Sequence, residues 1–558
     1  MIGNDNGKRG DKIIMGRFSG KINSKGRGQK AKGKSKTFIF VFKSSFMGFK
    51  VIELKATTNY TDEEIRQRIA KELRISDFTW QIENKSLDAR KKNNIHWLLR
   101  IAVHGKSLDG PAPEPQSPLE IPYRLRNKRV VIAGSGPAGF FAALVLQKAG
   151  FDTMLLERGA EVAKRAQGIA HFEKTGHFSP VANYAFGEGG AGTFSDGKLT
   201  SRSKHISKER DFFISSYIEA GAPAEIRYMA YPHVGSDNLR AVIKNLRDIY
   251  RNLGGGIRFE TTLDDLEVKD GKVKEAITGS EFLVGDYFIV APGHSAYETY
   301  RMLINRGVMF RTKNFAIGCR AEHHQEDINR AQWGIGKLQG VKAAEYRLTS
   351  EADGKHPVYS FCMCPGGMVV PAATYGHLNI VNGMSFYKRN SPFANAGCVA
   401  GIHPDQLAGK QVSALDALQW LEDLEHSFYE FSDGFSAPFC TIGDFINGTE
   451  PRSIPKTSYP LGLKPAPLWN MLPAVVTDAL RAGLRDFDRR LHGYNNGILL
   501  GLESKTSSPI QVLREPNGLC SGFENLFIAG EGSGYAGGIV SSAADGIKIA
   551  MQIVNHDG

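Results

Sequence analysis

Two cysteines separated by one residue are the first candidates for chemistry in this sequence. Cys362 and Cys364 stand directly before a Pro-Gly-Gly triplet, residues 365–367, in the stretch YSFCMCPGGMVVPAA. If they lie on a strand that the triplet ends, their side chains point to the same side of it. Such a pair can exchange electrons, or it can be two small buried residues. Both interpretations stay open, and a metal site is not predicted because no second Cys/His pair at ligand spacing lies nearby.

A glycine fingerprint is the strongest local pattern. Gly134, Gly136 and Gly139 follow the apolar run 130–133 in G-x-G-x-x-G spacing. The first glycine permits a tight turn, the second lets the backbone approach a pyrophosphate, and the third lets a helix pack on the strand. The start of that helix favours negative charge. Glu157, 21 residues after Gly136, can accept both ribose hydroxyls, which predicts FAD or NAD rather than NADP.

Two later segments resemble the sheet returns of flavoproteins of the glutathione-reductase type and favour FAD. GDYFIVAPGHSA, residues 285–296, is an apolar strand that follows a predicted hairpin at Asp270-Gly271. Near the C-terminus, ENLFIAGEGSGYAGG predicts a strand, a glycine-rich turn and a helix from about Gly538. The resemblance implies that Glu531 contacts the ribityl chain and that this helix stabilises negative charge on a reduced flavin.

A third glycine cluster, FGEGGAGTFSDGKLTSR at residues 186–202, suits backbone that lies close against a cofactor. Ser195, Asp196 and Lys198 add polar groups at the predicted pyrophosphate or flavin edge, although a surface loop is the alternative. His294, at the end of the strand in 285–296, is a candidate acid or base. A purely structural hydrogen bond is the simpler role for it.

These patterns define two groups of predicted site residues. The catalytic candidates are Cys362, Cys364 and His294. The cofactor-binding candidates for FAD are Gly134, Ser135, Gly136, Pro137, Ala138, Gly139, Glu157, Arg158, Gly189, Gly190, Gly192, Ser195, Asp196, Lys198, Pro292, Gly293, Gly530, Glu531, Gly537, Gly538 and Ile539.

The elements that must position these residues predict an α/β fold. The FAD-binding domain is expected to be Rossmann-like, of the glutathione-reductase type, with an inserted β-rich α+β substrate domain and a small N-terminal α+β domain. In that small domain, KVIELKA and HWLLRIAV are predicted strands, and Thr61 with Glu64 predicts a capping box at the start of a helix. The predicted segments are a disordered basic leader at 1–46, the N-terminal domain at 47–108, a Pro-rich linker at 109–126, the FAD-binding domain at 127–310 and 499–558, and the substrate domain at 311–498.

The charge of the chain is concentrated in the leader. The formal net charge is +12, and residues 1–46 have nine Lys and three Arg against two Asp. The rest is nearly neutral and gives no reason to expect nucleic acid as a partner. We expect Met47 to be the natural start. Six cysteines without a preceding secretory signal favour a reducing compartment, so a cytoplasmic protein without a membrane segment is predicted.

Several long motifs, in order from Met47 to the C-terminus, resemble a family of FAD-dependent dehydrogenases of bacteria and plastids. They include YPHVGSDNLRAVIKNLR, FGEGGAGTFSDGKLTSR, APGHSA, FAIGCRAEHHQEDI, YSFCMCPGG and AGEGSGYAGGIVSSAADGI. The resemblance implies a non-covalently bound FAD and an oxidoreductase role, without a known substrate. The chain departs from this pattern at two places. Tyr297-Glu298 stands where Arg-Asp is usual, and Lys505 stands where Arg is usual. Lysine cannot reproduce a bidentate Arg contact.

The leading hypothesis is an FAD-dependent oxidoreductase that transfers electrons or hydride between the flavin and an unidentified small-molecule substrate. No second G-x-G-x-x-G follows a strand. Electrons are therefore expected from that substrate, or from NAD(P)H that docks without a dedicated Rossmann domain. One alternative is a flavin-containing RNA-binding or RNA-modifying protein that uses the basic leader. Another is a scaffold in which FAD is only structural.

Overall fold

The computed structural model describes residues 48–114, 116–351 and 354–557, and the basic leader lies outside this range. The N-terminal unit is a three-stranded antiparallel sheet with one helix, in the strand order β1-β3-β2. Its elements are β1 (Gly48–Ala56), α1 (Asp62–Leu73), β2 (Thr79–Asp88) and β3 (His96–Gly105). The sequence analysis predicted β1, α1 and β3 but missed β2. None of the residues of β2 is fully buried, so it has no clear apolar alternation.

Helix α1 begins at the predicted capping box. The Thr61 side chain accepts a hydrogen bond from the N–H of Glu64, and the Glu64 carboxylate accepts one from the N–H of Thr61. Two otherwise unpaired donors of the first turn are thus satisfied. Ile65 and Ile69 form the buried face of the helix.

We expect Thr61→Ala to destabilise α1 by about 1 kcal/mol, because the N–H of Glu64 loses its acceptor. Hydrogen exchange of the α1 amides measures this change. Glu64→Gln is the control, since Gln also completes a capping box. Equal exchange rates in the wild type and in Thr61→Ala would contradict the expectation.

The next segment forms most of a parallel sheet and a small antiparallel sheet. Its elements are β4 (Arg129–Ala133), α2 (Pro137–Lys148), β5 (Asp152–Leu156), α3 (Val162–Thr175), α4 (Ser207–Glu219), α5 (Ser236–Asn252), β6 (Gly256–Arg258), β7 (Asp265–Lys269), β8 (Lys272–Thr278), β9 (Glu281–Val284), β10 (Tyr287–Val290) and α6 (Tyr297–Asn305). Strands β7 and β8 form the predicted hairpin at Asp270-Gly271.

Most of the remaining strands form a large mixed sheet, β11 and β20 pair with each other, and β21 returns to the parallel sheet. They are β11 (Phe310–Thr312), β12 (Phe315–His324), α7 (Gln325–Trp333), β13 (Thr349–Ser350), β14 (Val358–Pro371), β15 (Val381–Ser385), β16 (Phe393–Ile402), α8 (Pro404–Ala408), α9 (Ala414–Ser432), β17 (Ala437–Thr441), α10 (Ile442–Asn447), β18 (Leu463–Pro465), α11 (Leu468–Met471), α12 (Ala474–Arg490), β19 (Ile498–Glu503), β20 (Ile510–Val512), β21 (Leu526–Ile528) and α13 (Ile539–His556).

The parallel sheet has five strands in the order β21-β10-β4-β5-β6. Its central strands are short apolar runs, as expected where helices cover both faces of a sheet. Helices α2 and α13 belong to the same hydrophobic core. They approach closely at Gly546, where a Cβ would lie 2.0 Å from the carbonyl oxygen of Ala138. The two predicted returns to the sheet, β10 and β21, are therefore confirmed as its strands.

The mixed sheet has eight strands in the order β13-β14-β16-β12-β19-β17-β18, with β15 beside β14. Strand β14 carries both cysteines of the CxC pair. The prediction that the Pro-Gly-Gly triplet ends this strand is wrong, because β14 continues to Pro371. The pairing of β14 with β16 shifts register between Phe361 and Cys364 and again between Cys364 and Gly367. Bulges of this kind accommodate Pro and Gly inside a strand.

The helices of the protein are of ordinary globular length. The longest in the described residues is α9, with 19 residues. Within those residues, no helix is both long and apolar enough to cross a membrane.

Candidate functional site

The main cleft of the protein opens at the carboxyl ends of the parallel strands β4, β5, β10 and β21. Its volume is about 1100 Å³, including space open to solvent. Ligand sites in open parallel sheets commonly lie at this edge. The predicted residues that line it are Gly134, Gly136, Pro137, Ala138, Glu157, Arg158, Gly190, Gly192, Pro292, Gly293, His294, Glu531, Gly538 and Ile539.

The other predicted site residues do not line the main cleft. Most of them support neighbouring elements, and the two cysteines belong to the mixed sheet. These residues are Ser135, Gly139, Gly189, Ser195, Asp196, Lys198, Cys362, Cys364, Gly530 and Gly537.

Two helices begin at the main cleft. Gly136 is the N-cap of α2 and Gly538 is the N-cap of α13, and neither helix start has a side-chain cap. The first N–H groups of a helix have no partner within the helix, and the dipole adds positive charge there. Both helix starts can therefore bind anionic groups of a ligand.

Three glycines leave space that a ligand can fill. A Cβ built on Gly293 or Gly538 would have no heavy atom within 4 Å, and one on Gly136 would meet only the Cα of Gly190, at 3.8 Å. The φ of Gly136 is −64°, which any residue can adopt. Packing within the protein therefore does not require glycine at position 136, whereas a ligand lying against the backbone does.

Gly134 and Gly139 have structural tasks instead. Gly134 has a φ of 101°, and a Cβ there would lie 2.2 Å from the carbonyl oxygen of Ala291. A Cβ on Gly139 would lie 2.0 Å from the carbonyl oxygen of Gly134. These contacts agree with the tight turn and the close packing of helix on strand that the sequence predicts.

Glu157 lines the main cleft, but its carboxylate is fully used inside the protein. One oxygen accepts from the N–H and the hydroxyl of Ser135, at 2.9 and 2.7 Å. The other accepts from the N–H groups of Gly159 and Gly187, at 2.9 and 3.0 Å. A ribose would have to share or replace these donors. In this structure Glu157 fixes the fingerprint turn against the glycine-rich segment.

Arg165 is a positioning residue that the sequence analysis missed. It is fully buried, and its guanidinium donates to the carbonyls of Asn183, Tyr184, Glu188 and Gly190 at 2.7–3.0 Å. Burial lowers its pKa to about 10, and the carboxylates of Glu157 and Glu188 oppose that change. It therefore fixes the loop that includes Gly190 on the wall of the main cleft. No motif spacing marks it, because its partners are backbone carbonyls.

Arg158 forms part of the rim of the main cleft. Its guanidinium lies 3.9 Å from the centroid of the Phe186 ring and forms an ion pair with Glu298. Glu298 also accepts from the hydroxyl of Tyr375. The departure Tyr297-Glu298 thus has a structural role, since Glu298 orients Arg158. A planar cation stacked on an aromatic ring offers a flat surface to a ligand.

His294 and Glu531 face each other across the cleft wall. The Nδ1 atom of His294 lies 3.3 Å from Oε2 of Glu531. The angles do not form a hydrogen bond, so both buried ring nitrogens of His294 lack a partner in the described residues. Buried polar atoms are normally satisfied. The unpaired ring therefore indicates a missing ligand partner at this end of the main cleft.

Ser195, Asp196 and Lys198 do not face the main cleft, contrary to prediction. Ser195 bonds within its own turn, to the carbonyl of Gly192 and the N–H of Gly197. Asp196 is fully buried and binds Lys198 at 2.8 Å and Arg389 at 2.7 Å. Burial by itself would raise the pKa of Asp196, but the two cations hold it well below its usual range. This ion cluster fastens the glycine-rich segment to the mixed sheet.

Gly189 and Gly530 also have packing roles. A Cβ on Gly189 would lie 2.1 Å from the hydroxyl of Thr193, and one on Gly530 would lie 2.5 Å from the Cβ of Ala138. Gly537 lies beside the start of α13 without lining the cleft. Gly189 and Gly530 therefore shape the walls, whereas a Cβ on Gly537 would have no heavy atom within 4 Å.

Cys362 and Cys364 lie on β14, next to charged residues from β12, β19 and the glycine-rich segment. We call this group the thiol cluster: Cys362, Cys364, Lys198, Arg320 and Glu503. Arg320 donates to the carbonyl of Cys362 at 2.8 Å and lies 3.6 Å from the sulfur of Cys364. Lys198 donates to the carbonyl of Met363. The prediction of two side chains on one face of a regular strand is too simple, because Cys362 has a φ of 42° within the bulge.

Arg320 and Glu503 form the buried ion pair of the thiol cluster, at 2.7 Å and with no exposed surface on either side chain. Arg320 also binds the side-chain oxygens of Asn395 and Asn382, at 2.7 and 3.1 Å. A Cβ on Gly383 would lie 2.3 Å from Nη2 of Arg320. Neighbouring strands of the mixed sheet therefore pack closely against the guanidinium of Arg320 and neutralise or hydrogen-bond it.

Lys505 is paired inside the protein. Its ammonium lies 2.8 Å from Glu425 and donates to the hydroxyl of Tyr297 at 2.7 Å. It does not line the main cleft. The replacement of Arg by Lys therefore affects an internal ion pair in this structure.

Thr261, Thr262 and Leu263 line the main cleft and were missed by the sequence analysis. They follow the short strand β6, which pairs in parallel with β5. Residues after a parallel strand lie at the ligand edge of the sheet. Recognising the three-residue strand Gly256–Arg258 would have found them.

Comparison with family models identifies two FAD-related regions in the chain. Residues 127–175 match an FAD binding domain, and residues 314–506 match a family described as FAD-dependent protein, C-terminal domain-like. Residues 49–104 match a domain of unknown function. FAD is therefore the cofactor of this protein. The FAD-binding match is to a flavoprotein family different from glutathione reductase, and the predicted glutathione-reductase type is not confirmed.

Two solved structures share a remote likeness with the chain. CtdE in complex with FAD is 12% identical, with 77% of this chain and 84% of that chain covered and a TM-score of 0.33. A geranylgeranyl bacteriochlorophyll reductase-like protein of Thermoplasma acidophilum is 14% identical, with 77% and 79% covered and a TM-score of 0.34.

A protein of Clostridium beijerinckii, described as uncharacterized, is much more similar. It is 36% identical over 512 residues, which cover 88% of this chain and 95% of the relative. The chain therefore belongs to the same family as the clostridial protein, and its FAD-related domains identify it as an FAD-dependent flavoprotein.

Proposed function

We propose that the protein is an oxidoreductase that binds FAD non-covalently in the main cleft and transfers electrons or hydride between the flavin and a small-molecule substrate. One observation carries this proposal: two uncapped helix starts and three glycines open to empty space meet in a single cleft. That combination fits a bound dinucleotide. Such a ligand would lie so close to the protein backbone that a Cβ at these glycines would have no room.

In this proposal the two helix starts have different tasks. The N–H groups after Gly136 bind the pyrophosphate, with Gly190 opposite them. The start of α13, after Gly538, lies near the flavin and stabilises negative charge when the flavin is reduced. FAD supplies the two-electron chemistry, and the chain supplies binding, orientation and charge.

His294 is the proposed proton carrier of the site. Its ring nitrogens lie at the cleft wall without a hydrogen-bond partner in the described residues, and Nδ1 is 3.3 Å from Oε2 of Glu531. A His in this position can take a proton from a substrate as hydride leaves for the flavin, or return one in the reverse reaction.

In this proposal the substrate domain comprises residues 311–498, which contain most of the mixed sheet, and the FAD-binding domain comprises residues 127–310 and 499–558. Strand β19, Ile498–Glu503, crosses the second boundary. The match of residues 314–506 to a C-terminal domain of FAD-dependent proteins supports this division. Nothing in the described residues favours the RNA-binding alternative, and the basic leader on which it depends lies outside them.

The proposal predicts a yellow protein that releases FAD when it is denatured. Heat or acid should release FAD in equimolar amount, because a non-covalent cofactor leaves with the fold. An absorption spectrum of the supernatant measures the released flavin. A colourless protein that takes up no added FAD would overturn the proposal.

The electron donor is tested by anaerobic titration of the holoprotein with NADPH and then NADH. We expect bleaching of the flavin absorbance by one of them, through a nicotinamide that docks without its own Rossmann domain. Dithionite is the positive control, since it reduces any accessible flavin. Bleaching by dithionite alone would assign the donor role to an organic substrate instead.

A further inference from the structure

We propose that Cys362 and Cys364 form a redox-active pair that exchanges two electrons with FAD bound in the main cleft. The inference rests on the proposed function, because the flavin is the electron partner. In the oxidising direction two S–H bonds break and one S–S bond forms. The two electrons and one proton reduce FAD, and the second proton leaves to solvent or a base. In the reverse direction the reduced flavin cleaves the disulfide.

The local geometry of the two cysteines brings their thiols together. Cys362 adopts a φ of 42°, which is uncommon for a residue with a side chain. The Cys364 thiol donates to the carbonyl oxygen of Cys362 at 3.3 Å, which holds its sulfur beside the Cys362 backbone. Strained backbone of this kind persists where the surrounding structure enforces it, often at functional sites.

Two cations stabilise a thiolate at this position. Lys198 binds the carbonyl of Met363, between the two cysteines, and Arg320 reaches both of them. The hydrogen bond with Cys364 and the charges of Lys198 and Arg320 lower the pKa of the Cys362 thiol, against the effect of burial. The thiolate is the reactive form in disulfide exchange.

The other cysteines of the described residues lack this environment. Burial raises the pKa of each of their thiols. They are Cys319, Cys398, Cys440 and Cys520. The thiol cluster is therefore a specific arrangement rather than a general property of cysteines in this fold.

Cys362 and Cys364 differ in their solvent exposure. Cys362 is partly exposed, whereas Cys364 is fully buried. Cys362 is thus the thiol that meets an external reactant, and Cys364 is the one that closes the disulfide behind it. Reactive pairs commonly combine an accessible, low-pKa thiol with a neighbouring resolving thiol.

The thiol cluster is linked to the main cleft by two elements. The glycine-rich segment lines the cleft with Gly190 and Gly192 and reaches the cysteine strand with Lys198. Glu503, the partner of Arg320, experiences the charges of both Cys362 and His294. The glycine-rich segment and the Glu503 carboxylate thus connect the thiol cluster to the cleft residues Gly190, Gly192 and His294.

The test is an anaerobic dithionite titration of holoprotein that has been oxidised with ferricyanide and desalted. We expect four electrons per bound FAD in the wild type, two for the flavin and two for the disulfide. Cys362→Ser and Cys364→Ser should each take up two, with FAD still bound. Cys520→Ser is the matched control and should still take up four.

Thiol counts in denaturant give a readout that does not depend on the flavin. The wild type has six cysteines, so we expect four free thiols before reduction and six after it. Uptake of two electrons per FAD with six thiols throughout would overturn the proposal. Absence of FAD would instead contradict the proposed function, which keeps the two failures distinct.

The role of Lys198 is tested by the pH profile of iodoacetamide labelling of Cys362. We expect Lys198→Met to move the midpoint upward by about one pH unit, which slows labelling about tenfold at pH values well below the wild-type midpoint. Lys198→Arg should preserve the wild-type midpoint, since it keeps the charge. A midpoint unchanged in Lys198→Met would remove the electrostatic basis of the inference.

Discussion

Gly136→Val protein will fold but will purify without FAD. The valine Cβ meets no protein atom closer than 3.8 Å, and the backbone at this position is extended with a negative φ. Its side chain instead occupies the space where the pyrophosphate must approach the first N–H groups of α2. We expect the Kd for FAD to rise at least about 100-fold, which corresponds to about 3 kcal/mol. Titration of apoprotein with FAD, followed by flavin fluorescence, measures this.

Gly139→Val is the matched control for that experiment, three residues along the same helix. Its Cβ would collide with the carbonyl of Gly134, so this variant should lose the fold itself. Thermal melting followed by circular dichroism separates the two outcomes. A Gly136→Val protein that still binds a full equivalent of FAD would show that the start of α2 does not contact the cofactor.

Arg320→Met will destabilise the protein by about 3–5 kcal/mol at neutral pH, because it leaves Glu503 buried without its counter-charge. Burial already raises the pKa of Glu503, and the charge of Arg320 lowers it. Without Arg320 the native state will favour the protonated acid. Urea denaturation of the wild type and the variant measures the difference.

The pH dependence of this loss has a definite sign. In the variant, the folded state binds a proton on Glu503 that the unfolded state releases above its ordinary pKa. The stability of Arg320→Met relative to the wild type should therefore fall as the pH rises, and the gap should narrow in acid.

Arg330→Met is the control for the buried pair. Arg330 and Glu326 form an ion pair with 61% of each side chain exposed, and such pairs contribute less than about 1 kcal/mol. Equal decreases in the free energy of unfolding for Arg320→Met and Arg330→Met would contradict the expectation that the buried ion pair matters more for stability than the exposed one.

The residues whose tasks depend on local chain geometry were predictable from the sequence. The turn at Gly134, the close packing at Gly139 and the capping box at Thr61 each involve neighbours within a few residues. The strand returns to the parallel sheet were predictable for a similar reason, since short apolar runs before glycine turns are typical of such strands.

Tasks that depend on distant partners were not predictable. Asp196 and Lys198 lie within the glycine-rich segment, yet their partners Arg389 and Met363 are more than 150 residues away. The spacing of the segment gives no indication of which side of it faces the cofactor. The cationic surroundings of Cys362 come from Arg320 and Lys198, on separate elements, so the sequence left its chemistry open.

The order of the parallel sheet has a consequence for how the protein is made. Its edge strand β21 and helix α13 are the last strand and the last helix of the chain. Strand β4 and helix α2 are the first elements of this region in chain order. A ribosome therefore releases the fingerprint turn long before Glu531 and Gly538. The cofactor site is therefore complete only after the mixed sheet has been synthesised, and we expect FAD to bind late in synthesis or after it.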